Sequence, residues 1–186
     1  IEGTFLSADD QTTFYTALYH SLIAPHVFQD ADGQYRGLDG NVHRAEGFTN
    51  LTVFSLWDTY RALHPWFNFF QPEHNRNAVL SMLAHGEQSV HQALPVWSHW
   101  ANENWCMIGY HGVSVLADAA AKGMTGVDWD QALKLAVSSS GWRGYDGLGA
   151  YMDMGYVPED VVGSSVSKTL EYAYDDWCVA ELARRQ

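Results

Sequence analysis

The chain has 186 residues, 47% of them hydrophobic and 14% aromatic, and a net charge of −12 with only ten Lys plus Arg. That length suits one domain with a real core, and the lack of a basic stripe or basic helix face excludes nucleic acid and anionic membrane as partners. No run of about 18 apolar residues occurs, which excludes a membrane-spanning helix. Two cysteines, Cys106 and Cys178, permit one disulfide at most and leave the compartment open. The chain starts at Ile1 without a leader-like pattern, so the natural N-terminus is expected upstream.

In chain order, Ser7 to Asp10 offer cap candidates for a first helix. Phe14, Ala17, Leu18, Ser21 and Leu22 follow at helical spacing, and Pro25 ends it. A turn-rich stretch runs from Asp30 to Gly40, in which Arg36 and Asp39 are expected to form a structural ion pair. A second helix is predicted over residues 52–65, closed by Pro65, which cannot continue it. A third starts near Pro72, carries Val79, Leu80, Met82 and Leu83, and runs to about Gly86 or somewhat beyond. The fourth covers Ile108 to Lys122 and stops at Gly123. Asp128-Trp129-Asp130-Gln131 is a capping-box variant opening the fifth. The last runs from about Ser164 to Ala183 and is predicted to turn Val166, Leu170, Ala173, Trp177 and Val179 or Ala180 inward. The fold class is all-α, about six helices joined by long loops where binding residues usually sit.

Within the second helix, Trp57 stands beside Asp58. An aromatic face next to a carboxylate is what a sugar site needs: the ring covers the apolar C–H face of a pyranose, and the carboxylate accepts hydrogen bonds from hydroxyls. By spacing alone the plainer reading is favoured, an amphipathic helix with Trp57 in the core and Asp58 near its N-terminus. Asn102, Glu103 and His111 belong to a polar stretch bracketed by tryptophans just before a helix, which a cap with aromatic packing would also explain. Asp175 and Asp176 lie in an otherwise apolar helix. Neighbouring acids point about 100° apart, so at most one easily faces a given pocket.

Other patterns fail. Asp30-x-Asp32-Gly33 opens like a calcium loop, but Tyr35 and Asn41 stand where an EF-hand needs Gly and Glu. His85 and His91 do not share a helix face and no His-Glu-x-x-His occurs, so zinc is not expected. Ser138-Ser139-Ser140-Gly141 lacks the nucleophile-elbow frame, and Gly144-x-x-Gly147-x-Gly149 follows no strand.

Several blocks resemble, in order, glycoside hydrolase family 92. They are Phe14 to His20, Tyr35 to Gly40, Thr52 to Pro65, Leu94 to Trp97, Cys106 to His111 and Ser165 to Trp177, and the resemblance spans roughly residues 3 to 183. One departure is Ala101-Asn102-Glu103-Asn104, where the family more often has Gly-Asn-Glu-Thr; the lost glycine puts the backbone there in question.

The resemblance implies a calcium-dependent, inverting exo-α-mannosidase built from a β-sandwich followed by an (α/α)6 barrel. Residues 1–186 would be the first half of that barrel, completed by remaining segments of the same enzyme. The partner is then a mannose-containing oligosaccharide, and the compartment secreted or periplasmic. The family's acid and base are expected in motifs C-terminal to the matched blocks, as are most calcium ligands, so no catalytic or metal-binding residue is nominated. By matching position, Trp57 and Asp58 are the leading substrate-binding candidates, followed by Asn102, Glu103, His111, Asp175 and Asp176. The alternatives are a non-enzymatic carbohydrate-binding or structural protein on the same half-barrel, and a hydrolase on that scaffold with another sugar preference.

Overall fold

Helix-forming stretches alternate here with Gly-, Asn- and Asp-rich punctuation, and the structure, a computed structural model describing Thr4 and residues 7–186, follows that punctuation closely. The start of the family resemblance, near residue 3, lies outside the described residues. Helix α1 (Ala8–Ser21) is capped by Ser7, whose hydroxyl oxygen accepts from the Asp10 N–H. Two short antiparallel pairs follow. Strand β1 (His26–Val27) pairs with β4 (Leu51–Thr52), and β2 (Gln34–Arg36) pairs with β3 (Val42–Arg44) across the turn-rich stretch. There Asp39 does not pair with Arg36. Its carboxylate accepts from Asn41 and lies 3.0 Å from His43 Nε2, which together hold its pKa down to about 2.

The predicted helix over residues 52–65 is the largest departure. The chain instead leaves β4, makes the short helix α2 (Leu56–Thr59), breaks, and re-forms as α3 (Leu63–Phe70), straight through Pro65. Pro65 is the third residue of α3, within the first turn, where a backbone N–H has no intrahelical acceptor and its loss costs little. Helix α4 (Pro72–Gln88) starts with its proline at N1, as expected.

A third pair, β5 (Ser98–His99) and β6 (Asn102–Glu103), turns through Trp100 and Ala101. Both are left-handed, at φ +49° and +60°. The glycine-like geometry in question is therefore kept without glycine, at a cost on the order of 1 kcal/mol per residue.

The remaining helices are α5 (Gly112–Ala121), α6 (Trp129–Ser140), α7 (Leu148–Met154) and α8 (Ser165–Ala183). Asp128 caps α6 by accepting from the Gln131 N–H. Among the described residues there are eight helices rather than about six, with three two-stranded pairs beside them. Helix α5 is apolar apart from Ser114 and Asp118, because α3, α4, α6 and α8 all pack against it. Its Val113, Val115 and Leu116 meet Val79 and Met82 of α4, Leu135 of α6 and Leu182 of α8 in one core, and each fully buried side chain contributes about 1.5–3 kcal/mol.

Helix α8 does not present the predicted face. Val166, Leu170 and Trp177 are 72%, 66% and 56% exposed, while Ser165, Lys168, Tyr172, Asp175, Cys178 and Leu182 are buried. The apolar stripe loses to the polar one because Lys168 and Asp175 find buried partners. Lys168 Nζ donates to Asp146 at 2.8 Å, and Asp175 reaches His111. No helix among the described residues is long and apolar enough to cross a membrane.

Two buried histidines make the fold acid-sensitive. His64 Nδ1 lies 2.7 Å from Asn75 Oδ1 and His85 Nδ1 lies 2.9 Å from Ser98 Oγ, and burial pushes both imidazoles down to about 4. A depressed histidine binds its proton in the unfolded chain first. Its stabilisation is thus complete above the ordinary value near 6.5 and is lost as pH falls through about 4, by roughly 3 kcal/mol for each. Wild type is expected to lose thermal midpoint steeply between pH 6.5 and 4. His85→Gln should flatten that slope, and parallel slopes would remove His85 from the account.

Candidate active site

The site grows from the short helix α2. Its entry is pinned to the hairpin: the Val53 and Phe54 N–H groups donate to the Ser98 carbonyl at 3.1 and 3.0 Å, and the Leu56 N–H to Val96 O at 3.3 Å. Val53, a β-branched residue, is forced to φ +67° at this crossing. Asp58 is thereby placed in the first turn of α2, exposed to solvent. The Ser55 hydroxyl donates to Asp58 Oδ2, and among the described residues no group bonds to its other oxygen. Asp58 can therefore accept from a ligand.

Trp57, by contrast, is half-buried and held. Its indole Nε1–H donates to Glu171 Oε1 at 3.1 Å. The Arg61 guanidinium lies 4.8 Å from the centre of the Trp57 ring and 4.6 Å from that of Tyr60, donates to the Trp57 carbonyl, and sits 3.6 Å from Glu171 Oε1.

Behind Glu171 runs a buried array. Glu171 Oε2 lies 2.5 Å from His111 Nε2, and His111 Nδ1 lies 2.7 Å from Asp175 Oδ1. Asp175 Oδ2 accepts from the Tyr110 N–H at 2.7 Å, and the Tyr110 hydroxyl donates to Asp176 at 2.6 Å. Burial raises the Asp175 carboxyl, partly countered by His111, and burial together with Asp176 raises the Tyr110 phenol. Tyr60 stacks on the imidazole at 4.2 Å. The turn before it needs Gly109: at φ +82°, an added Cβ would stand 2.4 Å from His111 Nε2. Both imidazole nitrogens thus face carboxylate oxygens, Asp175 at Nδ1 and Glu171 at Nε2.

Glu103 works differently. One of its oxygens accepts from the N–H groups of Trp97 and Trp105, both at 2.9 Å, and the other from Val96 at 3.0 Å. Burial pushes this carboxyl up while the backbone donors pull it back. Asn102 pairs with His99 in the hairpin and is exposed.

The seven candidates thus fall into two linked groups. Trp57, Asp58, His111, Asp175 and Asp176 gather where α2, the entry to α5 and α8 meet. Asn102 and Glu103 sit on the hairpin that pins α2. Asp58, Asn102 and Asp176 are open to solvent, whereas His111 and Asp175 are 1% and 0% exposed. Glu171, Arg61, Tyr60 and Tyr110 were missed. Glu171 alone had a readable signal, its spacing of four from Asp175, which puts both acids on one helix face. Among the described residues no group of three or more His, Cys, Asp or Glu is placed to hold a metal ion. The apolar groove, about 360 Å³ and lined by Phe14, Leu18, Leu63 and Trp66, lies between α1 and α3, away from this chemistry.

Comparison with known proteins bears on this geometry. The model of the glycosyl hydrolase family 92 catalytic domain matches residues 1–186. A family GH92 α-mannosidase of Bacteroides thetaiotaomicron, also solved in complex with mannoimidazole, is 56% identical over 97% of this chain and 25% of its own, with a TM-score of 0.93. A family GH92 inverting mannosidase of the same organism is 37% identical over 92% of this chain and 24% of its own, with a TM-score of 0.83. A protein of Arthroderma benhamiae described as an uncharacterized secreted glycosidase is 26% identical over 94% of this chain and 20% of its own. The chain therefore spans about a fifth to a quarter of these relatives.

The Glu103 clamp yields a stability test. In Glu103→Gln one oxygen becomes an amino group facing a backbone N–H, so the unfolding free energy should fall by about 1–3 kcal/mol. A urea midpoint equal to wild type would show that the clamp contributes nothing.

Proposed function

The chain belongs to glycosyl hydrolase family 92, and on that premise we propose that it is the sugar-holding part of an enzyme that releases mannose from α-mannosides. The observation that carries this reading is an open carboxylate, Asp58, beside an indole that Glu171 and Arg61 hold in place. The likeness to an α-mannosidase solved with mannoimidazole supports a mannose-type ligand, and it favours the enzyme over a non-enzymatic sugar-binding protein. In this reading Asp58 accepts from sugar hydroxyls and Trp57 forms the wall of the subsite of the cleaved mannose. Asn102 and Asp176, both exposed, are proposed as further sugar contacts.

The reaction proposed is inverting hydrolysis. A carboxylic acid protonates the leaving oxygen while a second carboxylate, about 6.5–9.5 Å away, activates water on the opposite face. Neither is assigned to this chain, because the carboxylates of the array are committed to His111, Trp57 and Tyr110. Residues 1–186 are proposed as the first half of an (α/α)6 barrel, with acid, base and the second half on other segments of the same enzyme. Calcium is proposed for the complete enzyme, where it would bind the sugar hydroxyls. The described residues do not offer it a donor set, and no step is derived through it. Secretion is proposed by likeness to the relative described as secreted.

Two measurements on the intact natural protein test this reading. Asp58→Ala should lower kcat/KM on a 4-nitrophenyl α-mannoside by about ten- to a hundredfold, since a hydrogen bond to a charged group is worth roughly 1.5–3 kcal/mol. Near-normal kinetics would remove Asp58 from the site. Separately, a chelator should abolish mannose release and added calcium restore it; indifference to both would overturn the metal proposal.

A further inference from the structure

Glu171 stands in none of the roles above, yet it is the junction through which the buried array reaches the surface. Its side chain is 18% exposed and both oxygens are in use. Oε1 accepts from the Trp57 indole and faces Arg61, and Oε2 faces His111. Both oxygens are turned toward protein partners, and so little of the side chain is exposed that a sugar hydroxyl has scant approach to it. His111 and Asp175 are buried too deeply to touch a ligand at all.

The order of contacts runs inward to outward. The Tyr110 N–H fixes Asp175, Asp175 orients the imidazole, the imidazole holds the Glu171 carboxylate, and that carboxylate holds the indole N–H. A tryptophan side chain has two rotatable bonds, so one directed hydrogen bond at Nε1 and a guanidinium over the ring fix its plane. Arg61 covers one face of the indole, so in this reading a pyranose would meet the other.

We propose that Glu171 is a positioning residue: held by His111 and Asp175, it sets the plane of Trp57 against the bound mannoside and never touches the sugar itself. This rests on the sugar-site reading of Trp57 and Asp58. A wall that meets the sugar equally in ground and transition states gives uniform binding, so its misplacement raises KM more than it lowers kcat. A merely structural role would lower the amount of active enzyme, and kcat with it, at constant KM.

The test uses Glu171→Ala, Glu171→Gln, Trp57→Phe and the Glu171→Ala/Trp57→Phe pair in the intact natural protein, with Asp58→Ala as control. Trp57→Phe keeps a ring but removes the donor. In Glu171→Gln the carbonyl can still accept from the indole while the amide can donate to His111 Nε2, so the geometry is rescued without the charge. Glu171→Ala should raise KM about tenfold with kcat within about threefold, Glu171→Gln should stay near wild type, and the pair should be no worse than the poorer single variant. Additive losses in the pair, a fall in kcat at constant KM, or a Glu171→Gln as damaged as Glu171→Ala would overturn the proposal. If Asp58→Ala has wild-type kinetics, it is the site reading that fails. The positioning then still stands or falls on fluorine NMR of fluorotryptophan-labelled protein: the Trp57 resonance, assigned by Trp57→Phe, should shift in Glu171→Ala, and an unmoved resonance overturns it.

Discussion

A buried imidazole with a carboxylate at each nitrogen decides how this chain is assembled. Ionised groups taken from water are tolerated only with close partners, and removing one partner of such a set typically costs about 3–5 kcal/mol. Asp175 and Glu171 lie four residues apart on α8, His111 immediately precedes α5, and Trp57 belongs to α2. Satisfying all of them at once fixes the rotation of α8 about its own axis. It also fixes the distance of α8 from α5 and the placement of α2. The Lys168–Asp146 pair makes the same demand further up the helix.

The consequence appears on the opposite face of α8. With the polar residues turned in, Val166, Leu170 and Trp177 turn out, an apolar stripe on the surface of these residues. Helix α1 likewise has no buried residue, and its apolar positions line a groove against α3. Uncovered apolar faces of this kind suit a chain that spans only a fifth to a quarter of its relatives, and they fit the proposed half-barrel.

Local strain is concentrated where α2 is held. Val53, Trp100, Ala101, Trp105 and Met107 all adopt positive φ, in the segment entering α2 and in the hairpin and loop beside it. Such conformations persist only where surrounding bonds over-determine them. Here the Glu103 carboxylate gathers three backbone N–H groups, and the Ser98 carbonyl takes two more. The backbone next to Asp58 is thus shaped by bonds remote in sequence.

The sequence by itself determined the helical class, most helix boundaries and the family, because caps, glycine stops and long motif blocks are local signals. Ser7, Asp128 and Gly141 mark helix ends in the structure where their chemistry says they should. Local signals also misled: Pro65 reads as a stop, yet in a first turn it is harmless, and the structure starts α3 two residues before it. The candidates on α8 were legible as a cluster of acids, but not the division of labour among them. Tertiary structure alone decided that Asp175 faces His111, that Glu171 reaches Trp57 and that the apolar stripe of α8 faces outward. The physical reason is that hydrophobic periodicity counts apolar side chains only. Whether a buried Lys or Asp is affordable depends on partners 22 and 64 residues away, which no local pattern contains.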